Sequence, residues 1–221
     1  AINNDLPGGI DYLSFAFADL DNDGDMDVTV GYNEYSYYSN VEKALFYYEN
    51  KGLGVLELKE GLESPVDGVD LKNHSNVSFA DIDGDGDLDA LTSGSEVQNK
   101  YGISSTYTYQ ELYKNDNGVF SLVTDPQQNP FSNLSFIGDA NLKLFDLDKD
   151  GDLDLIAPYH VNDSYYSEAK VQYFQNNAGI YTELTGVNNP FDFINEGPGF
   201  EPDVDLGDLN GDGKPDLVLS R

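Results

Sequence analysis

No cysteine and no tryptophan occur among the 221 residues, and lysine plus arginine number only 11 against 41 aspartates and glutamates. Without cysteine no disulfide can staple the fold, so the staple open to this chain is a cation held by oxygen atoms. The shortage of basic residues leaves a formal charge of −30. Such a surface excludes nucleic acid and anionic membrane as partners, because both carry the same sign, and it predicts a soluble exterior. No apolar run approaches the roughly 18 residues of a membrane-spanning helix. Residues Ala1 to Pro7 lack the basic and apolar regions of a signal peptide, which reads as a mature N-terminus or an excised piece. The 3.6-residue period of an amphipathic helix is missing throughout.

What the chain has in quantity is aspartate, and it is placed in a repeat. Asp19, Asp21, Asp23, Asp25 and Asp27 alternate around Gly24; Asp81, Asp83, Asp85, Asp87 and Asp89 around Gly86; Asp146, Asp148, Asp150, Asp152 and Asp154 around Gly151; and Asp208, Asn210, Asp212, Lys214 and Asp216 around Gly213. Side-chain oxygens at alternate positions, a glycine where the chain must turn sharply and one further carboxylate make a cage for a hard cation with about six to eight oxygen ligands, which means calcium, up to four ions. The loops start 62, 65 and 62 residues apart, so the chain holds about three and a half modules. Five carboxylates in each of the first three loops and three in the fourth account for close to half of all the acid, and four calcium ions would bring −30 to −22. Such sites commonly bind in the micromolar to millimolar range, which suits calcium-rich extracellular fluid. The expected location is secreted or cell-surface, and four N-x-S sequons at Asn73, Asn76, Asn133 and Asn162 fit it.

Each acidic loop lies between two segments with apolar residues on alternate positions. Leu13–Ala18 and Met26–Gly31 flank the first, Val77–Ala80 and Leu88–Thr92 the second, Leu142–Phe145 and Leu153–Ala157 the third, and Val204–Gly207 and Leu217–Leu219 the fourth. Downstream a second pair follows in the first three modules: Leu45–Asn50 with Val55–Leu58, Glu111–Asn115 with Val119–Leu122, and Gln172–Asn176 with Ile180–Leu184. An asparagine with a nearby glycine between them signals a hairpin. A segment marked by Pro65, Pro130 or Pro190 leads to the next module. Four antiparallel strands in about 60 residues, repeated, is the blade plan of an all-β propeller. The blades read as 1–65, 66–131, 132–195 and an incomplete 196–221, an open arc belonging to a larger ring closed by further blades or another chain.

Preceded by Phe17-Ala18, Phe79-Ala80, Leu144-Phe145 or Leu206-Gly207, the recurring loop resembles the FG-GAP or VCBS repeat, the family of the calcium-binding blades of integrin α-subunit propellers and of many bacterial secreted proteins. The resemblance implies that loop positions one, three, five and nine give side-chain oxygens and position seven a backbone carbonyl. The ligands would be Asp19, Asp21, Asp23 and Asp27 with the carbonyl of Asp25, then Asp81, Asp83, Asp85 and Asp89 with that of Asp87. The third set would be Asp146, Asp148, Asp150 and Asp154 with Asp152, and the fourth Asp208, Asn210, Asp212 and Asp216 with Lys214. Asn210 and Lys214 make the fourth site the weakest. An EF-hand is rejected, because it needs a glutamate at position twelve and flanking helices, whereas position twelve here is Val30, Thr92, Ala157 or Leu219 in β-patterned runs.

The segments between the second and third strands are read as long loops on the face opposite the acidic turns. They carry Tyr35, Tyr37 and Tyr38; Tyr101 and Tyr107; and His160, Tyr165 and Tyr166 among serine and asparagine. That composition suits an adaptable surface for a glycan or protein partner, or equally tyrosines packed between blades. The expected function is a calcium-stabilised binding or adhesion module without enzymatic activity. The competing readings are a propeller domain of a secreted polysaccharide-degrading enzyme, with His160 as its acid or base, and a structural component of a larger extracellular assembly.

Overall fold

A computed structural model describes residues 12–33, 45–71, 76–100, 103–137, 139–162, 167–194, 203–212 and 214–220. The chain is all-β, with antiparallel sheets that follow one another along the sequence and only two single 3-10 turns among the described residues, Gly61–Glu63 and Gly186–Asn188. No helix among the described residues is long and apolar enough to cross a membrane.

The first sheet has the order β1 (Tyr12–Ala18), β2 (Asp27–Asn33), β3 (Leu45–Asn50), β4 (Leu56–Lys59). Its two faces follow the period-two alternation of the sequence. Val28 and Val30 pair with Tyr48 and Phe46 and form one cluster with Leu56 and Leu58. Ala16, Leu45 and Tyr47 lie on the other face, in the cluster that also holds Val77, Ala90, Tyr113 and Phe120 of the second sheet. The second sheet runs β5 (Asn76–Ala80), β6 (Asp89–Lys100), β7 (Ile103–Asp116), β8 (Val119–Leu122). The connection after β4 is no bare loop, because Val66, Val69 and Leu71 are buried in the same cluster.

In the third sheet, β9 (Asp139–Ala140) and β10 (Lys143–Phe145) both pair with β11 (Asp154–Asn162), followed by β12 (Ser167–Asn177) and β13 (Ile180–Leu184). Pro158 explains the split first strand. Asn141 N donates to the Pro158 carbonyl at 3.2 Å, but the proline has no N–H to return, and the ladder is interrupted there. Two strands, β14 (Asp203–Gly207) and β15 (Asp216–Ser220), form the fourth sheet. Val204, Leu206, Leu217 and Leu219 share a cluster with Ile156, Val171, Tyr173, Phe191 and Ile194. The Asn-Pro-Phe signals plug the core: the Asn129 and Asn189 side chains accept the amides of Phe131 and Phe191 at 2.9 Å, and both phenylalanines are buried.

By its contacts the chain divides into two compact units, residues 1–94 with 110–124, and 95–109 with 125–221. Ser95–Tyr107 is not the long loop that its composition suggests, because Ser95–Lys100 continues β6 and Ile103–Tyr107 begins β7. Likewise His160–Asn162 ends β11, and Ser167 already begins β12. A strand needs backbone partners on its neighbours rather than apolar side chains, so a polar hairpin of Ser, Thr, Asn and Tyr carries no alternation to reveal it.

Candidate metal centre

The four acidic loops connect β1 to β2, β5 to β6, β10 to β11 and β14 to β15, and each is shaped by its own carboxylates. The first aspartate folds the loop back on itself. Asp19 accepts the amides of Asp23 (3.1 Å) and Gly24 (3.0 Å), Asp81 those of Gly84 (2.8 Å), Asp85 (3.1 Å) and Gly86 (3.1 Å), and Asp146 that of Gly151 (3.2 Å). Position five repeats the device two residues on: Asp23, Asp85, Asp150 and Asp212 accept the amides of Asp25, Asp87, Asp152 and Lys214 at 2.9 to 3.0 Å. These side-chain turns draw positions one, three and five together in the second and third loops, whereas in the first loop position nine joins positions one and three. Carboxylate oxygens lie within 4.8 Å of one another in Asp19, Asp21 and Asp27, in Asp81, Asp83 and Asp85, and in Asp146, Asp148 and Asp150. A further such group is Asp21, Asp23 and Glu49, so several clusters are able to hold a metal ion.

Position nine does different work. Asp27, Asp89 and Asp154 begin the second strand of their sheets and are buried. Asp27 accepts the amide of Leu20 (3.0 Å), the hydroxyl of Tyr47 (2.9 Å) and the amide of Asn50 (2.8 Å). Asp154 has the same three donors, Leu147 N (3.2 Å), Tyr173 Oη (2.8 Å) and Asn176 N (2.8 Å). Asp89 accepts from Ile82 N (3.1 Å) and Asn115 N (2.9 Å), but Leu112 stands where the other modules have the tyrosine, three residues before the asparagine. Asp216 accepts from Leu209 N (2.9 Å) and from both nitrogens of Asn210. Burial pushes the carboxyls of Asp89 and Asp154 up, an effect the N–H donors partly offset. The same burial, beside acidic neighbours, pushes the Tyr47 and Tyr173 phenols well above their ordinary value.

The asparagine of each hairpin closes the frame. Asn50, Asn115 and Asn176 donate through Nδ2 to the carbonyls of Met26, Leu88 and Leu153, and their Oδ1 atoms accept the amides of Gly52, Gly118 and Gly179. Position seven reaches the same hairpin, with Asp87 accepting Asn117 N (2.8 Å) and Asp152 accepting Ala178 N (2.7 Å). Acidic loop and hairpin are thus one hydrogen-bonded block in each of the first three modules.

The residue just before that asparagine touches position three. Lys114 Nζ pairs with Asp83 at 2.5 Å and holds its carboxyl below the usual range, while Gln175 donates to Asp148 at 2.5 Å. Glu49 shares a cluster with Asp21 and is itself paired with Lys51 and, at 3.3 Å, with Lys59, which together hold its carboxyl down. Desolvation, and then repulsion from Asp27 and Asp23, pushes the Asp21 carboxyl up.

The fit of this donor set to a hard cation shows at its least satisfied atom. Asp146 Oδ1 is buried and has no hydrogen-bond partner among the described residues, whereas the Oδ1 atoms of Asp19 and Asp81 accept loop amides. Buried polar atoms rarely stay without a partner, so an all-oxygen site with one unpartnered carboxylate oxygen fits a cation.

Of the proposed partner residues, Tyr35, Tyr37, Tyr38, Tyr101, Tyr165 and Tyr166 lie outside the described residues. Tyr107 and His160 are placed as backbone positions in β7 and β11, with their side chains outside the description. Sequence reasoning missed Tyr47, Tyr173, Glu49, Lys114 and Gln175 as parts of the loops. The signal was their fixed offset from the hairpin asparagine. No family model matches the chain, and no curated protein matches it.

Proposed function

We propose that this chain is a calcium-stabilised segment of a β-propeller of the FG-GAP or VCBS kind, exported from the cell and serving as a recognition or adhesion module for a glycan or protein. The observation that carries the calcium reading is the convergence of carboxylates in each of the first three loops, at positions one, three and five in the second and third and at positions one, three and nine in the first, with an unpartnered buried oxygen at Asp146. Sheets that follow one another in sequence and bury faces against a neighbour support the blade reading. Phe15 and Phe17 are 45% and 62% exposed on the first sheet, an apolar strip that a further blade would cover. In such a module Asp19, Asp21 and Asp23 and their counterparts would hold the ion, which would neutralise clustered charge and tie folding to metal. The micromolar to millimolar range in which such sites commonly bind supports export to calcium-rich fluid.

Calorimetric titration of chelator-treated protein with calcium tests the metal reading. Binding of three ions in the micromolar to millimolar range, with a weaker fourth at the Asp208 loop, is expected. An absence of saturable binding at millimolar calcium overturns it.

A further inference from the structure

One position in each module, the residue just before the hairpin asparagine, carries a different charge in each of the first three modules yet meets the same loop position. It is Glu49 in β3, Lys114 in β7 and Gln175 in β12. The framework behind it does not vary, since the following asparagine binds the position-nine aspartate by its amide and the position-eight carbonyl by its side chain in all three. Backbone geometry therefore delivers this side chain to the third loop residue, and its chemistry decides what happens there.

In the second module the delivered group is an ammonium. Lys114 Nζ sits 2.5 Å from Asp83 Oδ2, and Asp83 belongs to the Asp81, Asp83 and Asp85 cluster. A metal taking that oxygen must displace a cation already tethered to it. In the third module the delivered group is a neutral amide, Gln175, which donates to Asp148 Oδ2 at 2.5 Å and leaves the loop's charge unchanged. The first module delivers a carboxylate, Glu49, with an oxygen within 4.8 Å of those of Asp21 and Asp23, but its two oxygens are already paired with Lys51 and Lys59, so the net effect on the first loop is not set by this residue alone.

We infer that this position grades the cation affinity of the second and third loops, with Gln175 a neutral brace of the third and Lys114 an internal competitor that makes the second the weaker of the two. The inference rests on the reading of the loops as calcium sites. It goes beyond that reading in naming residues outside the nine-residue pattern and in ordering loops whose own carboxylates are identical in number and spacing. The plain alternative is a surface ion pair without consequence for metal, and Lys114 is exposed enough, at 41%, for that to be a real contest.

The test follows the amide resonances of Gly24, Gly86 and Gly151, the sixth residue of each loop, during calcium titration of the whole chain by heteronuclear NMR. In the native protein the Gly86 midpoint falls at a higher calcium concentration than the Gly151 midpoint. Lys114→Gln gives the second loop the brace of the third and lowers the Gly86 midpoint roughly fivefold, the equivalent of one exposed ion pair, leaving Gly24 and Gly151 unmoved. Gln175→Lys transfers the effect and raises the Gly151 midpoint by a similar factor. If all three amides titrate and neither substitution moves its own midpoint, the grading is overturned while the calcium reading stands. If no amide responds by about 10 mM calcium, above the range of extracellular sites, both fall together.

Discussion

At position six of the acidic loops the backbone runs at φ of 93° for Gly24, 98° for Gly86 and 97° for Gly151, beyond the left-handed region that other residues visit. Position four is milder: Asn22, Gly84, Lys149 and Gly211 hold φ between 60° and 78°, which asparagine tolerates. The loop therefore demands glycine at one place and accepts several residues at the other, as the four copies show. Gly86→Ala is expected to destabilise the chain by about 1–2 kcal/mol, whereas Gly84→Asn stays within about 0.5 kcal/mol. A Cβ at either site meets no atom within 4 Å, so the difference reports backbone conformation alone. Denaturant unfolding of the two variants decides it, and equal costs would contradict the account. This residue-scale demand was legible in the sequence, because glycine recurs at position six of every loop while position four varies, the pattern left by a turn that only glycine makes cheaply. The role of position nine was not, since burial and two or three protein donors depend on residues up to 26 positions away.

Between elements, the buried aspartate couples the turn joining the first two strands of a sheet to the hairpin joining the last two. Tyr173→Phe removes one of three donors to Asp154 while keeping the ring against Phe191, a contact with centroids 5.9 Å apart. The expected loss is about 1–2 kcal/mol, with faster hydrogen exchange at Leu147 and Asn176, whose amides share the same carboxylate. A variant as stable and as protected as the native chain would show that the hydroxyl contributes nothing. Leu112 makes the second module a natural counterpart, already without that donor. At this scale the strands beside the acidic loops and the asparagine hairpins were readable from alternation and turn residues. The polar half of the β6–β7 hairpin was not, because Ser95–Lys100 and Ile103–Tyr107 show no apolar face. Nor was the split of β9 from β10, which follows from a proline on the neighbouring strand.

Over the whole molecule the opposing quantities are a formal charge of −30 and, within each unit, an apolar cluster that joins the first sheet to the second or the third to the fourth. Repulsion is concentrated where the loops gather their carboxylates, so a cation bound there acts on stability directly and without any cysteine to share the task. Each site filled at a hundredfold excess over its dissociation constant adds about 2.7 kcal/mol to the folded state. For a chain of this size each kcal/mol moves the melting temperature by roughly 2–4 °C. The most direct measurement is thermal unfolding of the same preparation in excess chelator and in millimolar calcium, followed by circular dichroism. The account predicts a melting temperature at least about 10 °C higher in calcium, reversed on chelation; coincident melts in the two solutions would contradict it.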